Sequence, residues 1–503
     1  MDNSKVNIFT RVIFFLFIVL VLPTGAVNAR DKKPKNIILM IGDGFGPQAM
    51  GAYTMYTHTI QHRPSSFEKV MNQGTLGVCD THPYFNIVSD SSAGGTALAT
   101  GFKTRNEMVG MGPHGEDLET VLEYAQKIGK ATGLVTNTTI THATPASFYA
   151  AWAKRNDETI IADQLFKNGA IDVLFGGGLT QFIPQGKKAS DYAKIHPLQE
   201  GRSYRKDNMN LLESAKSKGY TTVFNANELK EAPLRGKILG LFGGTHLPYA
   251  VDRMNIPGMN VPSLLEMTEA AIQRLERNRK GFFLMVESGK MDHVLHANDG
   301  GALFREMEET DKVFEFLFAY AKKRGDTLLV LTADHETGGF GFSYQKRRGG
   351  KLKLTLKSGA EYVTKYNYAD LKLFQMLMSQ TRSFKLLINE AAKDPKKLVE
   401  LIKLHTPFRI NEKLAQIVLT KGPRDYAAFY TGYASRPISV LSSILSGQTS
   451  IVWSSGTHTH TPVFCISYGP YSSRLKGYFQ NIKVGQVIFQ ALGKKEMYFP
   501  KGL

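Results

Sequence analysis

Short apolar runs alternate with helix-like segments along most of this 503-residue chain. The apolar runs are typical of buried strands: NIILMI (36–41), ATGLVT (131–136), IDVLF (171–175), FFLMV (282–286) and TLLVLT (327–332). Apolar residues at helical spacing predict helices between them, at 117–129, 157–169, 263–278 and 302–323. This alternation favours an α/β fold with a mostly parallel central sheet sandwiched by helices, because helical crossovers cover both faces of a parallel sheet.

The alternation changes after about residue 343. A lysine-rich section, about 343–450, has helical patterns of its own and precedes a last apolar run, VFCISYG (463–469). We interpret this section as a long insertion that caps the sheet near the functional face. Residues 30–503 are therefore predicted to form one α/β domain with an inserted cap region.

The first 29 residues predict export. Lys5 and Arg11 flank the start of a short apolar run, VIFFLFIVLVL (12–22), and AVNA (26–29) supplies a small-residue cleavage site. This order is typical of a signal peptide, here 1–29, and the run is shorter than the roughly 20 residues of a membrane span. We expect a periplasmic or secreted protein without a stable membrane anchor.

Composition, charge and cysteine content do not select one class of function. A chain with 42% hydrophobic and 21% charged residues is expected to fold rather than to be disordered. The formal charge of +18 is compatible with anionic partners, and equally with a generally basic surface. Cys79 and Cys465 are the two cysteines of the sequence. Their spacing leaves open whether they pair or remain two buried thiols.

Acidic residues and histidines follow several predicted strands. Asp43 in GDG follows the first strand, Glu287 follows FFLMV, and Asp334 and His335 in ADHE follow TLLVLT. Ligands of open α/β sheets bind beyond the carboxyl ends of the strands. Loops that are far apart in sequence are therefore expected to bring these side chains together.

The types of these residues predict a metal site. Asp292 and His296 are four apart, so one face of a helical turn presents both. His458 and His460 in THTH are two apart, so an extended chain directs both to one side. Three or four such ligands suit zinc with an open position, whereas Glu287 with a second carboxylate and a hydroxyl suits magnesium. Each motif alone is also typical of a turn or a surface pair; their location together at strand ends favours the metal.

Two other motifs only partly match known functional motifs, and three histidines have no predicted role. GDGFG half resembles a dinucleotide-binding loop, but Pro47 stands at the third glycine position. HETGG is not a zinc-protease HExxH, because Gly339 replaces the second histidine. His58, His62 and His82 have no acidic companion at a predicted strand end, so no role is predicted for them.

The segment IVSDSSAGGTALATG (87–101) places two adjacent serines where a strand could lead into a helix. No histidine base adjoins Ser91 or Ser92, and there is no G-x-S-x-G motif around them. A hydroxyl at a helix start lies among free N–H groups, and a divalent metal ion lowers the pKa of a bound hydroxyl much further. We therefore interpret this serine pair as containing a metal-activated nucleophile, with a helix-capping serine as the alternative.

Together these motifs resemble the alkaline phosphatase family. The matching segments appear in the family's order: IGDGFG, SDSSAGGTALATGFKT, THATPASFYAAWAKR, VESGKMDHVLH, TADHE and SSGTHTHTP…YGP. They cover most of the chain up to about 340 and the region from 450 to 470. The resemblance implies an alkaline-phosphatase-like fold and hydrolysis of phosphate monoesters to phosphate and an alcohol. It also implies a phosphoserine intermediate and three cofactor ions, two Zn²⁺ and one Mg²⁺.

The resemblance further implies a role for individual residues. Ser91 matches the nucleophile, and Arg155, on the helix after THATP, matches the arginine that binds the phosphate. The implied metal ligands are Asp292, His296 and His458 for one zinc, Asp43, Asp334 and His335 for the second zinc, and Asp43, Thr144 and Glu287 for magnesium. His142 and His293 stand where the family varies and are expected beside the ligands. His458 is preferred to His460 as the ligand because its distance to YGP matches the family; His460 is expected beside the site or exposed.

Two alternative functions stay open. The nearer is a related metal-dependent phosphodiesterase or nucleotide pyrophosphatase, and the more distant is a non-enzymatic exported protein that binds metal or anions. On the favoured hypothesis the partners are small-molecule phosphate monoesters and no specific nucleic acid. A homodimer is compatible with the resemblance, and the physiological substrate stays open.

Overall fold

The computed structural model describes residues 32–166, 171–345, 353–420 and 436–495. The predicted signal peptide, 1–29, lies outside the described residues. Within the described ranges, none of the helices has the length and apolar character needed to span a bilayer.

The strands follow the apolar runs of the sequence closely at the centre of the molecule. In chain order they are β1 (Asn36–Gly42), β2 (Thr75–Asp80), β3 (Ala131–Thr139), β4 (Val173–Gly177), β5 (Tyr220–Val223), β6 (Lys237–Leu241), β7 (Phe282–Ser288), β8 (Thr327–Thr332), β9 (Glu336–Thr337), β10 (Phe340–Phe342), β11 (Lys353–Thr355), β12 (Glu361–Val363), β13 (Ile451–Trp453), β14 (His458–Thr459), β15 (Val463–Tyr468) and β16 (Gly477–Gln480).

The helices flank these strands. In chain order they are α1 (Pro47–Thr59), α2 (Ser66–Gln73), α3 (Ser91–Thr100), α4 (Val121–Lys127), α5 (Ala143–Ala146), α6 (Glu158–Gln164), α7 (Leu211–Ser217), α8 (Ala226–Glu231), α9 (Ala250–Asn255), α10 (Leu264–Leu275), α11 (Lys290–His296), α12 (Gly300–Arg324), α13 (Lys372–Met378), α14 (Phe384–Ala391), α15 (Pro395–His405), α16 (Glu412–Leu419), α17 (Pro437–Thr449) and α18 (Ile482–Leu492).

Ten strands of the described chain form one sheet, in the order β16-β2-β15-β8-β1-β7-β3-β4-β6-β5. Every neighbouring pair is parallel except the two that involve β15, which runs antiparallel to β2 and to β8. The central strands β1, β7 and β8 are buried along their whole length, as continuous apolar runs require in a parallel sheet. The predicted α/β fold with a mostly parallel central sheet is therefore confirmed.

Strands at or near the two edges of the sheet were not predicted. β2 alternates between buried and partly exposed residues, and β5 is short with a half-exposed middle, so neither forms a continuous apolar run. β6 and β16 were missed as well, and the sequence pattern did not show that β15 runs antiparallel. Pairing with distant segments holds these strands in place; β2, for example, pairs with β15 and β16 from the end of the chain.

The described parts of the predicted insertion, about 343–450, form the hairpin β11–β12 and helices α13 to α17. This region docks on the start of α12. The carboxylate of Asp299, which caps α12, accepts hydrogen bonds from the Gln380 amide at 2.8 Å and from the main-chain N–H of Phe384 at 2.7 Å. Since α12 directly follows α11, the inserted helices are anchored close to the segment that carries Asp292 and His296. The limits of the insertion, and its action as a cap, remain a prediction.

The two cysteines lie on adjacent strands, Cys79 on β2 and Cys465 on β15. Both thiols are buried and unpaired, which answers the question that their spacing left open. The strand register sets Cys79 opposite Val463 and Cys465 opposite Gly77, so the cysteines are not cross-strand partners. Burial raises the pKa of the Cys79 thiol to about 12.

Candidate metal centre and nucleophile

The central strands β8, β1, β7 and β3 are neighbours in the sheet and end at the same edge. Asp43 directly follows β1, Glu287 is the sixth residue of β7, and Asp334 and His335 follow β8. All four side chains are fully buried. The parallel register thus brings together residues from three distant segments, as expected for the carboxyl edge of an open sheet.

Asp43, Asp334 and His335 form one group of candidate metal ligands. The Nε2 atom of His335 lies 3.5 Å from an oxygen of Asp43 and 3.3 Å from an oxygen of Asp334. The other Asp334 oxygen accepts a hydrogen bond from the main-chain N–H of Gly44 at 3.3 Å. The hydroxyl oxygen of Ser91 lies 3.3 Å from His335 Nε2. A cation at this group would therefore adjoin the predicted nucleophile.

Asp292, His296 and His458 come together as a second group, and His335 of the first group also lies within ligand distance of Asp292 and His458. The Nδ1 atoms of His296 and His458 face the main-chain oxygens of Gly456 and Ser89, both at 2.8 Å. A carbonyl oxygen only accepts hydrogen bonds, so both Nδ1 atoms carry hydrogen and the Nε2 atoms of the neutral rings carry lone pairs. These two Nε2 atoms lie 3.0 Å apart and within 3.6 Å of the Asp292 carboxylate. Facing lone pairs at that distance repel each other unless a proton or a cation lies between them, which is the arrangement of histidine metal ligands.

The pairing of β9 with β14 brings His458 beside His335, so the first and second groups adjoin each other. Thr337 lies opposite His458 in this antiparallel pair, and the rings of His335 and His458 stack at 3.7 Å. The Thr337 hydroxyl donates to Asp292 at 2.6 Å and adjoins His335 Nδ1 at 3.2 Å. Sequence reasoning missed Thr337. Its two-residue spacing from His335, on an extended strand, is the signal that points to the same side of the chain.

A third group surrounds Glu287. One Glu287 oxygen accepts hydrogen bonds from two hydroxyls of β3, those of Thr136 and Thr138. The bond from Thr138 measures 3.1 Å. The Thr144 hydroxyl lies 3.4 Å from an Asp43 oxygen. The Nδ1 atom of His142 lies 3.8 Å from the other Glu287 oxygen. Two carboxylates and a threonine hydroxyl form a set of oxygen donors that suits a hard divalent cation.

Without cations, burial of these charged carboxylates lowers the stability of the folded chain. Asp43 Oδ1, Glu287 Oε1 and Asp334 Oδ2 are buried and have no hydrogen-bond partner among the described residues. Burial, followed by repulsion from the Asp292 and Glu287 carboxylates, raises the pKa of Asp334 to about 8. Burial and the same kind of repulsion raise the pKa of Asp43 well above its usual value. The residues present therefore fit divalent metal ions, whose charge offsets the repulsion and whose coordination satisfies the unpaired oxygens.

The predicted nucleophile, Ser91, is the first residue of helix α3. Asp90 is the N-cap: one carboxylate oxygen accepts a hydrogen bond from the Ala93 N–H at 2.9 Å. The second oxygen accepts from the Ser92 hydroxyl at 3.0 Å. Ser91 is buried, with 1% of its surface exposed. The cap leaves Ser91 at the positive end of the helix, beside the first ligand group.

Arg155 does not lie on a helix, in contrast to the prediction. Helix α5 ends at Ala146, and Arg155 occupies a turn before α6, where its main-chain N–H donates to the Glu107 carbonyl at 2.9 Å. Its guanidinium donates to Asp90 at 3.3 Å and to His142 Nε2 at 3.0 Å. The isolated antiparallel bridge between Val109 and Trp152 and the Arg155–Glu107 hydrogen bond, and not helical spacing, hold this segment beside the N-terminus of α3.

Two histidines, His293 and His246, lie beside the third group, and His460 lies elsewhere. His293 packs edge-to-face against His142 at 5.8 Å and against His246 at 4.5 Å, so it lies beside the third group. His246, which sequence reasoning missed, is held there because its Nδ1 accepts from the Thr139 N–H at 3.0 Å. His460 belongs to none of these groups and contacts Asp80 at 3.1 Å.

Substitution of Gly94 by alanine should separate the nucleophile helix from the sheet. A Cβ atom on Gly94 would lie 2.7 Å from both the Cβ and the main-chain oxygen of Asp334, so α3 would have to move. We expect Gly94→Ala to lower the free energy of unfolding by about 1–3 kcal/mol, measured by urea denaturation. Gly51→Ala in α1 is the control: nothing lies within 4 Å of its new methyl group, so it should raise stability by about 0.5–1 kcal/mol. Equal stability of the two variants would contradict this packing.

Removal of metal should make stability depend on pH. In the folded, metal-free chain Asp334 keeps its proton up to about pH 8, whereas its ordinary pKa is 3.8. The folded state then binds more protons than the unfolded state, so the free energy of unfolding should fall as the pH rises from about 4 to about 8. Bound divalent metal ions should flatten this slope. Thermal unfolding of chelated and reloaded protein over that range measures it, and identical slopes would argue against metal at these carboxylates.

Comparison with known proteins agrees with this geometry. The chain matches the sequence profile of the family described as alkaline phosphatase over residues 34–394. It is 32% identical to alkaline phosphatase 4 of Bacillus subtilis, over 93% of this chain and 91% of that protein, and 31% identical to an alkaline phosphatase of Schizosaccharomyces pombe, over 91% and 81%. The crystal structure of Thermus thermophilus alkaline phosphatase superposes with a TM-score of 0.79 at 29% identity, covering 94% of this chain and 95% of that one. The chain therefore belongs to the alkaline phosphatase family.

Proposed function

We propose that this protein hydrolyses phosphate monoesters, with Ser91 as the nucleophile. The observation that carries the proposal is the position of the Ser91 hydroxyl, which begins helix α3 at 3.3 Å from His335 within a group of buried metal ligands. The Arg155 guanidinium is anchored to the N-cap of the same helix. A nucleophile, an adjacent cation site and an anion-binding arginine are the parts that phosphoryl transfer needs.

Three ions complete the proposed centre. We assign one zinc to Asp292, His296 and His458, and the second to Asp43, Asp334 and His335. Magnesium is assigned to Asp43, Thr144 and Glu287, whose donor atoms are oxygens. When bound, these ions supply positive charge that lowers the pKa of a hydroxyl and neutralises charge on the phosphoryl oxygens.

The reaction proceeds through Ser91 in two displacements. The Ser91 oxygen attacks phosphorus, its hydroxyl proton is lost, and the bond from phosphorus to the ester oxygen breaks, so that the alcohol leaves after protonation. Water then attacks the phosphoserine, which releases phosphate and restores the hydroxyl. The N-terminal N–H groups of α3 and the helix dipole stabilise the anionic phosphoryl group at this position.

Arg155 is proposed to hold the non-bridging oxygens of the phosphoryl group. Its planar guanidinium offers two parallel N–H groups to two oxygens. Asp90 and His142 hold this fork in place before substrate arrives. Because His142 Nε2 accepts a hydrogen bond from Arg155, the neutral ring carries its hydrogen on Nδ1 and has no lone pair for a cation there. We therefore place His142, with His293, beside the magnesium ligands.

We also propose that the protein is exported to the periplasm or secreted, with 1–29 as a cleaved signal peptide. The order of charged residues, apolar run and small-residue cleavage site supports this location. The substrates would then be small phosphate monoesters outside the cytoplasm.

A comparison of p-nitrophenyl phosphate with bis-p-nitrophenyl phosphate tests the reaction class. We expect a higher kcat/KM for the monoester, because the monoester presents one more charged oxygen to Arg155 and to the metal ions. Both rates follow from release of p-nitrophenol by the purified, metal-loaded protein. A higher kcat/KM for the diester would instead favour a phosphodiesterase of the same superfamily.

Separate alanine variants of the two serines test the nucleophile. Ser91→Ala should lower kcat by at least about a thousand-fold, because the phosphoserine no longer forms. Ser92→Ala loses a hydrogen bond to Asp90 and should only slow turnover. Labelled phosphate trapped on the protein after a rapid quench distinguishes the two variants, and label on Ser91→Ala but not on Ser92→Ala would refute the assignment.

A further inference from the structure

A second cluster of metal-ligating side chains lies at the end of β2, outside the proposed phosphatase centre. Asp80 is the last residue of β2, His82 follows it by two residues, and His460 follows β14. One oxygen of Asp80 lies 2.9 Å from Nδ1 of His82 and 3.1 Å from Nε2 of His460. The three ligand atoms all lie within 4.8 Å of one another.

We propose that Asp80, His82 and His460 bind a zinc ion, at what we call the β2 zinc site. Two imidazole nitrogens and one carboxylate oxygen are a common ligand set for zinc, and a water molecule would fill the fourth tetrahedral position. Imidazole ligands disfavour magnesium and calcium, which prefer oxygen. The cluster therefore selects a transition metal rather than the hard cations.

The spacing of the side chains needs little change to accept the ion. In a tetrahedral zinc site with bonds of about 2.0–2.1 Å, ligand atoms lie about 3.3 Å apart. The two contacts of the Asp80 oxygen, at 2.9 and 3.1 Å, are only slightly shorter. About a third of each histidine side chain is exposed, so zinc can enter from solvent.

Surrounding contacts hold Asp80 in place and keep it charged. The main-chain N–H of His82 donates to one Asp80 oxygen at 3.1 Å, and the Tyr478 hydroxyl donates to the other at 3.3 Å. Partial burial opposes ionisation, but hydrogen bonds from the main chain and ring of His82 and from the ring of His460 outweigh it and hold the pKa of Asp80 below its usual range. A carboxylate that stays ionised and oriented is a ready zinc ligand.

One cation lies close to the cluster. The Lys103 ammonium contacts the main-chain oxygen of His82 and lies 2.7 Å from the side-chain oxygen of Asn481. Burial lowers the pKa of Lys103 to about 8, so at alkaline pH it loses its charge and does not oppose a metal ion.

Zinc at this site would connect the two chain segments that position the nucleophile. His82 begins the segment 82–90 that leads from β2 to Ser91, and His460 follows the proposed ligand His458 by two residues. At the other end of that segment the Ser89 carbonyl accepts a hydrogen bond from His458 at 2.8 Å. The β2 zinc site would thus hold the start of the segment 82–90. The hydrogen bond from His458 to Ser89 already holds its end.

Zinc content of the full chain tests the proposal. Native protein, His82→Ala and His58→Ala are dialysed against micromolar Zn²⁺ with Mg²⁺, passed through a desalting column and analysed for zinc per chain. His58 is the matched control, because it pairs with the single carboxylate of Glu68 on the surface. We expect His82→Ala to bind one zinc fewer than the native protein, and His58→Ala to bind the same number. Equal zinc content in all three proteins would overturn the site.

Two further measurements distinguish loss of the β2 zinc site from misfolding and from failure of the proposed function. His82→Ala should still hydrolyse p-nitrophenyl phosphate, since His82 belongs to none of the three ligand groups at the centre. The double variant His82→Ala, His460→Gln should lose one zinc relative to native protein, because both side chains bind the same ion; a loss of two would overturn the assignment. A native protein that binds the expected zinc but shows no hydrolysis would contradict the proposed function and leave the β2 zinc site standing.

Discussion

Repulsion among buried carboxylates is the constraint on which the centre of this protein depends. Asp43, Glu287, Asp292 and Asp334 converge beyond the central strands, where burial removes the water that would solvate them. Three of them leave an oxygen without a hydrogen-bond partner among the described residues. Cations at this edge would offset the repulsion, so metal binding and the stability of the folded chain are coupled through the same charges. On the proposed function, activation of Ser91 would depend on these charges as well.

Asp90 links this region to Ser91 and to Arg155. One oxygen caps α3 and so fixes the helix start at Ser91, while the other accepts from Arg155, from the Ser92 hydroxyl and from the main-chain N–H of Glu107. A single carboxylate therefore sets Ser91, the Arg155 guanidinium and the main chain at Glu107 relative to one another. On the proposed function, helix geometry would place a serine that has no adjacent histidine base, and the metal ligands that activate it would come from other strands.

The peripheral parts of the fold are tied to the same region. Asp299 fastens the inserted helices to the start of α12, directly after the segment that carries Asp292 and His296. On the other side, Asp80 and His460 join β2 to the segment after His458. The chain on either side of the centre is therefore held by buried or half-buried carboxylates rather than by a disulfide, since Cys79 and Cys465 are unpaired.

The sequence by itself determined the central strands, the acids and histidines at their ends and the family, because these features are local: a buried parallel strand is a continuous apolar run, and its ligands follow it directly. Tertiary structure alone decided the features that depend on long-range pairing. The pairing of β9 with β14 brings Thr337 and His458 to Asp292, a turn rather than a helix aims Arg155 at Asp90, and the half-exposed strand β2 gives His82 the acidic companion that it lacked in the sequence pattern. The first two contacts join segments that are far apart in sequence, so no local pattern of residues encodes them. Asp80 lies only two residues before His82, but β2 has no continuous apolar run, so the sequence pattern did not show that Asp80 ends a strand.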